Sequence, residues 1–224
     1  MSEAPLDARP YLGVDEIIRR LPRQGFTLSV CSRRNSGKSY LCRQIVQQLI
    51  SGGFVQMVCV MSESAGLNDD WGFLNPKLVM PFSEAVLVNI WNSQERAVRA
   101  HEEVQHVLVV LDDCLSCDAA TKSKVLSTIY TRGRHIRLSC MVISQHTSLL
   151  LKPLMRSNSD IICWSKLSRG QLEQLWLATV CINKKDFVAL SEALGGHNYQ
   201  FLVLDQVVQN TRDPEDYLTV VRAS

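Results

Sequence analysis

"LSVCSRRNSGKSYLCRQI", residues 28–45, decides how this chain is read. It joins an apolar, β-branched run to a stretch with apolar residues three and four apart, through Gly37, Lys38 and Ser39. A phosphate-binding loop needs backbone N–H groups converging at a helix N-terminus, a lysine that reaches the outer phosphates, and a hydroxyl for Mg²⁺. These three residues supply those parts, in the strand-then-helix setting the chemistry requires. The loop departs from G-x-x-x-x-G-K-[ST] at its first position, where Ser32 replaces glycine, and in Arg33 and Arg34, which stand where small residues are usual. Serine is small enough to serve there unless the turn demands positive φ. The candidate nucleotide-binding residues are Ser32, Arg33, Arg34, Asn35, Ser36, Gly37, Lys38, Ser39 and Tyr40, with ATP and Mg²⁺ as ligands.

Outward from the loop, further apolar runs recur: "QMVCVMS" (56–62), "AVLVNIW" (85–91), "HVLVVLDD" (106–113), "SCMVISQ" (139–145), "DIICWSK" (160–166) and "YQFLVLD" (199–205). Such runs, like "FTLSVCS" (26–32) before the loop, read as strands buried on both faces. Between them "SYLCRQIVQQLI", "QERAVRAHEEVQ", "KSKVLSTIYTRG" and "RGQLEQLWLATV" carry helical spacing. The alternation predicts an α/β fold, a mainly parallel central sheet with helices on both faces. One domain is expected over 26–205, with a short N-terminal preface at 1–25 and a polar C-terminal tail or arm at 206–224.

The 224 residues carry 24 Lys+Arg against 22 Asp+Glu, a net charge of +2, so a polyanionic partner must be met by a local basic patch. Several of the eight cysteines sit inside apolar runs such as "VCV" and "IICW", where a thiol acts as a small hydrophobe, so they read as reduced and intracellular. Cys114-Leu115-Ser116-Cys117 has the spacing of half a zinc site, but with no second Cys-x-x-Cys to complete four ligands, two core or loop thiols is the favoured reading. No apolar run approaches the ~20 residues that span a bilayer, and a soluble protein without membrane contact is expected.

The run "HVLVVLDD" ends in Asp112 and Asp113. At the end of a strand beside the loop, Asp112 can join Ser39 as a metal ligand and Asp113 can polarise an attacking water, although Asp-Asp after a strand also makes an ordinary turn. Gln145, ending the next strand, can touch the γ-phosphate or orient water. A nucleotide loop, a strand ending in acids, a helix, and a strand ending in a polar sensor is the organisation of additional-strand P-loop ATPases. Between the acids and Gln145 lies "YTRGRHIRLS". Its arginines read as a solvated basic loop in an isolated protein. In a ring, Arg134 first and Arg132 second are the candidates to reach a neighbour's γ-phosphate, from a loop expected to emerge on the catalytic side of the domain.

At this point the chain resembles a family. "NSGKS", "VLDD", "RGRH....SCMVISQ" and "LMRSNSD" fall in the order and rough spacing of viral genome-packaging ATPases, the poxvirus-type branch of the FtsK-HerA superfamily. The resemblance spans most of 26–160 and implies a RecA-like motor. It further implies a homo-oligomeric ring of five or six copies that drives double-stranded DNA into a capsid and meets a capsid vertex or portal protein. Localisation would be at viral assembly sites in the host cytoplasm or nucleus, or in the virion. By the same resemblance Lys38 and Ser39 bind phosphate and Mg²⁺, Asp112 holds the metal, and Asp113 is the catalytic carboxylate. Gln145 senses the γ-phosphate, Arg134 acts in trans, and Arg156 and Asn158 belong to a further motif at the subunit interface or in nucleotide signalling. Asp113 stands where many relatives carry Glu.

Other uses of the same core stay open: a non-packaging FtsK-HerA-like translocase, a nucleotide-gated assembly protein with weak hydrolysis, and, ranked lower, a small-molecule P-loop kinase. Candidate DNA contacts are Lys122, Lys124 and Lys152.

Overall fold

The computed structural model describes residues 12–67, 69–114, 118–145, 147, 155, 157–179, 182–195, 199–208 and 214–223. Eight strands form one sheet in the order β3-β2-β4-β5-β1-β6-β7-β8. They are β1 (Thr27–Ser32), β2 (Met57–Ser62), β3 (Val79–Met80), β4 (Val107–Asp112), β5 (Leu138–Ser144), β6 (Ile161–Ser165), β7 (Gln200–Asp205) and β8 (Leu218–Arg222). All neighbours from β3 to β6 pair in parallel, whereas β7 and β8 are antiparallel. β5 lies between β4 and β1, so the additional strand separates the acidic strand from the strand of the loop.

Side-chain alternation divides the sheet's two faces. Leu28, Val30, Leu108, Val110, Met141 and Ile143 pack towards α1 (Val14–Arg20) and α2 (Lys38–Ser51), whose Ile17, Leu41, Ile45 and Leu49 are fully buried. On the other face, Val107, Val109, Leu111, Cys140 and Val142 meet α3 (Glu84–Arg99) and α5 (Lys124–Arg132), which follows the short α4 (Asp118–Lys122). Further along that face Ile162, Trp164, Leu202 and Leu204 meet α6 (Arg169–Thr179) and α7 (Lys184–Gly195). A short α8 (Pro214–Tyr217) precedes β8. Each such Leu or Ile contributes about 1.5–3 kcal/mol by leaving water, so every strand is held from both faces.

Three expectations need correction. "AVLVNIW" is not a strand: it opens α3, because Ser83 caps the helix by accepting a hydrogen bond from the Val86 N–H at 3.3 Å. Leu87, Ile90, Trp91, Gln94 and Val98 then fall on one face against the second core, and the helix ends at Arg99 instead of continuing to residue 105. Seven residues were too short a window to separate a buried strand from the first turns of a helix.

Residues 1–25 are not merely a preface, since Val14, Ile17 and Leu21 belong to the core. The expected tail supplies β8, and Leu12 bridges Val221 while Arg20 approaches Asp205 to 3.6 Å. One folded unit therefore holds the segment from Leu12 to Leu21 against β7 and β8. The six described cysteines are all buried; Cys117, the partner for a zinc half-site, lies outside the described residues. Cys114 instead donates its thiol hydrogen to the Met61 carbonyl at 2.8 Å.

Candidate functional site

Because β1, β4, β5 and β6 run in parallel, their carboxyl ends share one edge of the sheet, where ligand-binding crevices of open α/β sheets form. β1 delivers Ser32 there fully buried, and its hydroxyl donates to the Ser165 carbonyl of β6 at 2.6 Å. The residue in the place of the first glycine is thus the last of a strand, tied to its neighbour. Left-handed backbone is needed later, at Asn35 (φ 57°) and Gly37 (φ 92°). Asparagine tolerates that region and glycine enters it freely, which is why the serine is harmless.

Arg33, Arg34 and Asn35 are exposed, Ser36 is buried, and Ser39 is half-buried. Gly37 is the N-cap of α2 and brings no side chain to cap it, so the first-turn N–H groups present partial positive charge to an anion. The Ser36 hydroxyl is buried without a hydrogen-bond partner among the described residues. An orphaned hydroxyl inside an uncapped helix start suits a polyphosphate that supplies acceptors at that spot.

Lys38 is 7% exposed. Its ammonium lies 3.3 Å from both carboxylate oxygens of Asp113. Asp113 adopts φ 51°, and its N–H donates to the Ile143 carbonyl at 2.9 Å, which turns the side chain from the end of β4 towards the loop. Gln145 donates from Nε2 to Asp113 Oδ2 at 2.7 Å, and Arg34 Nε donates to Gln145 Oε1 at 3.3 Å. Four candidates from three separate segments of the chain are therefore one connected chain: Lys38, Asp113, Gln145 and Arg34.

Asp112 is 8% exposed, and its Oδ2 accepts from the Trp71 indole N–H at 3.0 Å. Burial pushes its carboxyl above the ordinary aspartate range; the Trp71 hydrogen bond opposes this, and the Asp113 charge adds to it. Such a carboxylate gains from a cation set beside it. Among the described residues no group of three or more His, Cys, Asp or Glu is placed to hold a metal, so a cation here would draw on Asp112, the Ser39 hydroxyl and the nucleotide's own oxygens. Cys31, next to the loop, is pushed up to about 12, chiefly by burial, and stays a thiol.

Arg134 and Arg132 require a correction. Arg132 ends α5 and Arg134 lies in the turn Gly133–Ile136 that leads into β5, hence both are at the amino end of β5 and the edge opposite the loop. Gly25, just before β1, fixes this: a Cβ there would come within 2.7 Å of the Arg134 Cα. The expected emergence on the catalytic side does not occur, because a helix-to-strand connection returns to the sheet at the amino edge. Arg134 is exposed and lines a groove of about 390 Å³ with Thr27, Ser157, Asn158 and Asp160. Arg132 is exposed, and its guanidinium sits 6.0 Å from the centroid of the Trp91 ring on α3. Asn158 accepts from the Thr27 hydroxyl through its carbonyl. Arg156 and Lys152 lie outside the described residues; Lys122 and Lys124 are exposed at the junction of α4 and α5.

Two residues at the site carry no sequence signal. Trp71 comes from a loop without periodicity, and only its contact with Asp112 reveals it. Tyr199, the residue before β7, reads in sequence as part of a strand. Because β7 is antiparallel, it instead stands at the loop's edge against Gly37.

Residues 18–213 match the family described as Poxvirus A32 protein. Among solved structures, the genome packaging NTPase B204 from Sulfolobus turreted icosahedral virus 2, in complex with AMPPCP, is similar with a TM-score of 0.62 at 12% identity, over 89% of this chain and 98% of its own. The pCW3 conjugation coupling protein TcpA gives 0.65 at 12% identity, over 89% of this chain and 60% of its own. The cytoplasmic domain of the Thermomonospora curvata type VII secretion ATPase EccC gives 0.61 at 14%, over 90% and 25%. No curated protein matches the chain. At these identities the likeness carries the fold, that of a P-loop NTPase domain. No helix among the described residues is long and apolar enough to cross a membrane.

Proposed function

We propose that this chain, a member of the poxvirus A32 protein family, is an ATP-hydrolysing motor that moves double-stranded DNA into a viral capsid. The observation that carries the reading is the connected set Lys38, Asp113, Gln145 and Arg34 at the head of α2. ATP lies with its β- and γ-phosphates over Gly37 and the first turn of α2. Lys38 then exchanges Asp113 for phosphate oxygens, which releases the carboxylate. Asp113 polarises the attacking water while Gln145, already bonded to it, orients that water in line with the γ-phosphorus. Ser39 and Asp112 are the residues that would hold Mg²⁺, which would offset the charge building on the phosphate oxygens.

Arg134 cannot reach the nucleotide of its own protomer, and in a homo-oligomeric ring of five or six copies it faces the next one. The similar B204 is named as a genome packaging NTPase, and TcpA as a conjugation coupling protein, which supports polymer translocation over small-molecule phosphorylation. DNA is held through phosphates, by exposed cations such as Lys122 and Lys124, because a motor meets every sequence in turn. A capsid vertex or portal protein is the docking partner, and viral assembly sites in the host cell are where it acts.

ATP turnover titrated with duplex DNA, while oligomer size is followed, tests the reading. Turnover should rise with DNA and with assembly, and log affinity should fall against log salt by ~0.9 per phosphate neutralised. Turnover indifferent to DNA in an assembled ring would leave a nucleotide-gated assembly protein in its place.

A further inference from the structure

Tyr199 and Tyr40 form an exposed aromatic pair at the head of α2. Their ring centroids are 5.6 Å apart at 73°, and the side chains of both residues reach solvent, with exposures of 44% and 37%. Each ring offers an apolar face and a polar tip, which suits a surface that is partly wet and partly covered by a ligand.

Tyr199 is also held where it is at some conformational cost. Its φ is 65°, a left-handed conformation that a bulky residue rarely adopts. Two backbone hydrogen bonds maintain it: its N–H donates to the Ser36 carbonyl at 3.3 Å, and its carbonyl accepts from the Ala223 N–H at 2.9 Å. The ring is thereby laid on Gly37, where a Cβ would stand only 2.4 Å from Tyr199 Cδ1. The tight approach gives Gly37 a second reason to be glycine, besides its own φ of 92°.

Sheet order gives the pair its direction. Asp113 and Gln145 stand at the ends of β4 and β5, on one side of the loop, and mark where the γ-phosphate lies. β6 and β7 are on the other side of β1, and Tyr199 immediately precedes β7. A nucleotide whose γ-phosphate points at Asp113 and whose β-phosphate lies over Gly37 extends its sugar and base away from the acids, towards Tyr199 and Tyr40.

We propose that Tyr199, supported edge-on by Tyr40, is the stacking platform for the nucleobase of the bound nucleoside triphosphate. This rests on the nucleotide-loop reading above. Stacking on a ring gains affinity from the π-face that every base has, so the platform fixes how tightly a nucleotide is held more than which base it carries.

The test compares binding of ATP and of inorganic tripolyphosphate, which has the phosphates but no base, by calorimetry on the full chain. Tyr199→Ala should weaken ATP by about fivefold or more and leave tripolyphosphate unchanged. Tyr199→Phe, which keeps the ring, should bind ATP like the wild type. If Tyr199→Ala weakens both ligands equally, the ring only props up Gly37 and the platform is overturned. Unchanged ATP binding overturns it as well. A wild-type protein that binds neither ligand instead brings down the nucleotide loop itself, and the platform with it.

Discussion

Asp113→Asn should strengthen nucleotide binding while crippling hydrolysis. In the structure the Lys38 ammonium, almost fully buried, is 3.3 Å from both oxygens of Asp113, whose side chain is 38% exposed. Bare attraction between unit charges at about 4 Å is of order 4 kcal/mol in a surface-like dielectric. Solvent at the open carboxylate and the cost of desolvating Lys38 reduce this to a net of about 1 kcal/mol. ATP has to break that pairing, so asparagine, which has no charge to give up, should tighten ATP by about fivefold. The nucleotide-free protein should lose the same 1 kcal/mol, near 2–4 °C in Tm for a domain of this size. Turnover should fall by ~10²–10⁴, the usual worth of a positioned general base. Thermal melts with and without ATP, beside single-turnover hydrolysis, separate these effects: a lower starting Tm, a larger nucleotide-induced rise and a slow chemical step are expected. Weaker ATP binding with normal turnover would refute the exchange of partners at Lys38.

Trp71→Phe keeps the ring but removes the 3.0 Å hydrogen bond to Asp112, and the Mg²⁺ needed for half-maximal hydrolysis should rise about tenfold; an unchanged requirement would make Trp71 only a packing residue. His106 is fully buried and pushed down to about 4 from 6.5 by burial, with Arg137 adding and the backbone carbonyl of Phe54, as acceptor, opposing. The unfolded chain therefore takes a proton that the folded one refuses, so stability should be complete above pH 6.5 and decline by up to about 3 kcal/mol as pH falls towards 4. Urea melts of wild type and His106→Gln across that window check this, the variant losing less; parallel curves would assign the acid sensitivity elsewhere. Arg134→Ala should bind ATP yet hydrolyse it poorly, and mixing it with Lys38→Ala should restore part of the activity, since some interfaces then pair an intact loop with an intact arginine. Mixed oligomers that stay inactive would count against action in trans.

How much of this was legible in the chain depended on whether a feature was local. The loop, its strand and its helix are contiguous, so 28–45 carried the loop with most of the strand and the first half of the helix. Asp112, Asp113 and Gln145 were readable because a buried parallel strand ends where its apolar run ends, and all such ends share one edge. The bonds among Arg34, Gln145, Asp113 and Lys38 were not, because they depend on Asp113 turning left-handed at the end of β4. α3 was misread because Val86, Val88 and Ile90 in "AVLVNIW" suit a strand until Ser83 and the later turns are weighed with them. β8 was hidden in a segment whose flanks are polar, and only pairing with β7 exposes its role.

Arg134 is the instructive failure, since topology alone contained the answer. In a parallel sheet every strand-to-helix turn lies at the carboxyl edge and every helix-to-strand turn at the amino edge. "YTRGRHIRLS" follows α5 and precedes β5, so it had to arrive opposite the loop, wherever the neighbouring motifs lay. In the ring proposed above, that position suits a group acting in trans. A residue on the catalytic edge could serve its own nucleotide, and nothing would tie hydrolysis to assembly. With Lys38 on one edge and Arg134 on the other, a single chain would, by the trans mechanism proposed above, hold both halves of a site and complete neither. In the proposed ring, head-to-tail contact between copies would join one half to the next, and such heterologous contacts finish only when a ring closes. The groove beside Arg134, lined by Asn158 and Asp160, lies on the face that this contact would use.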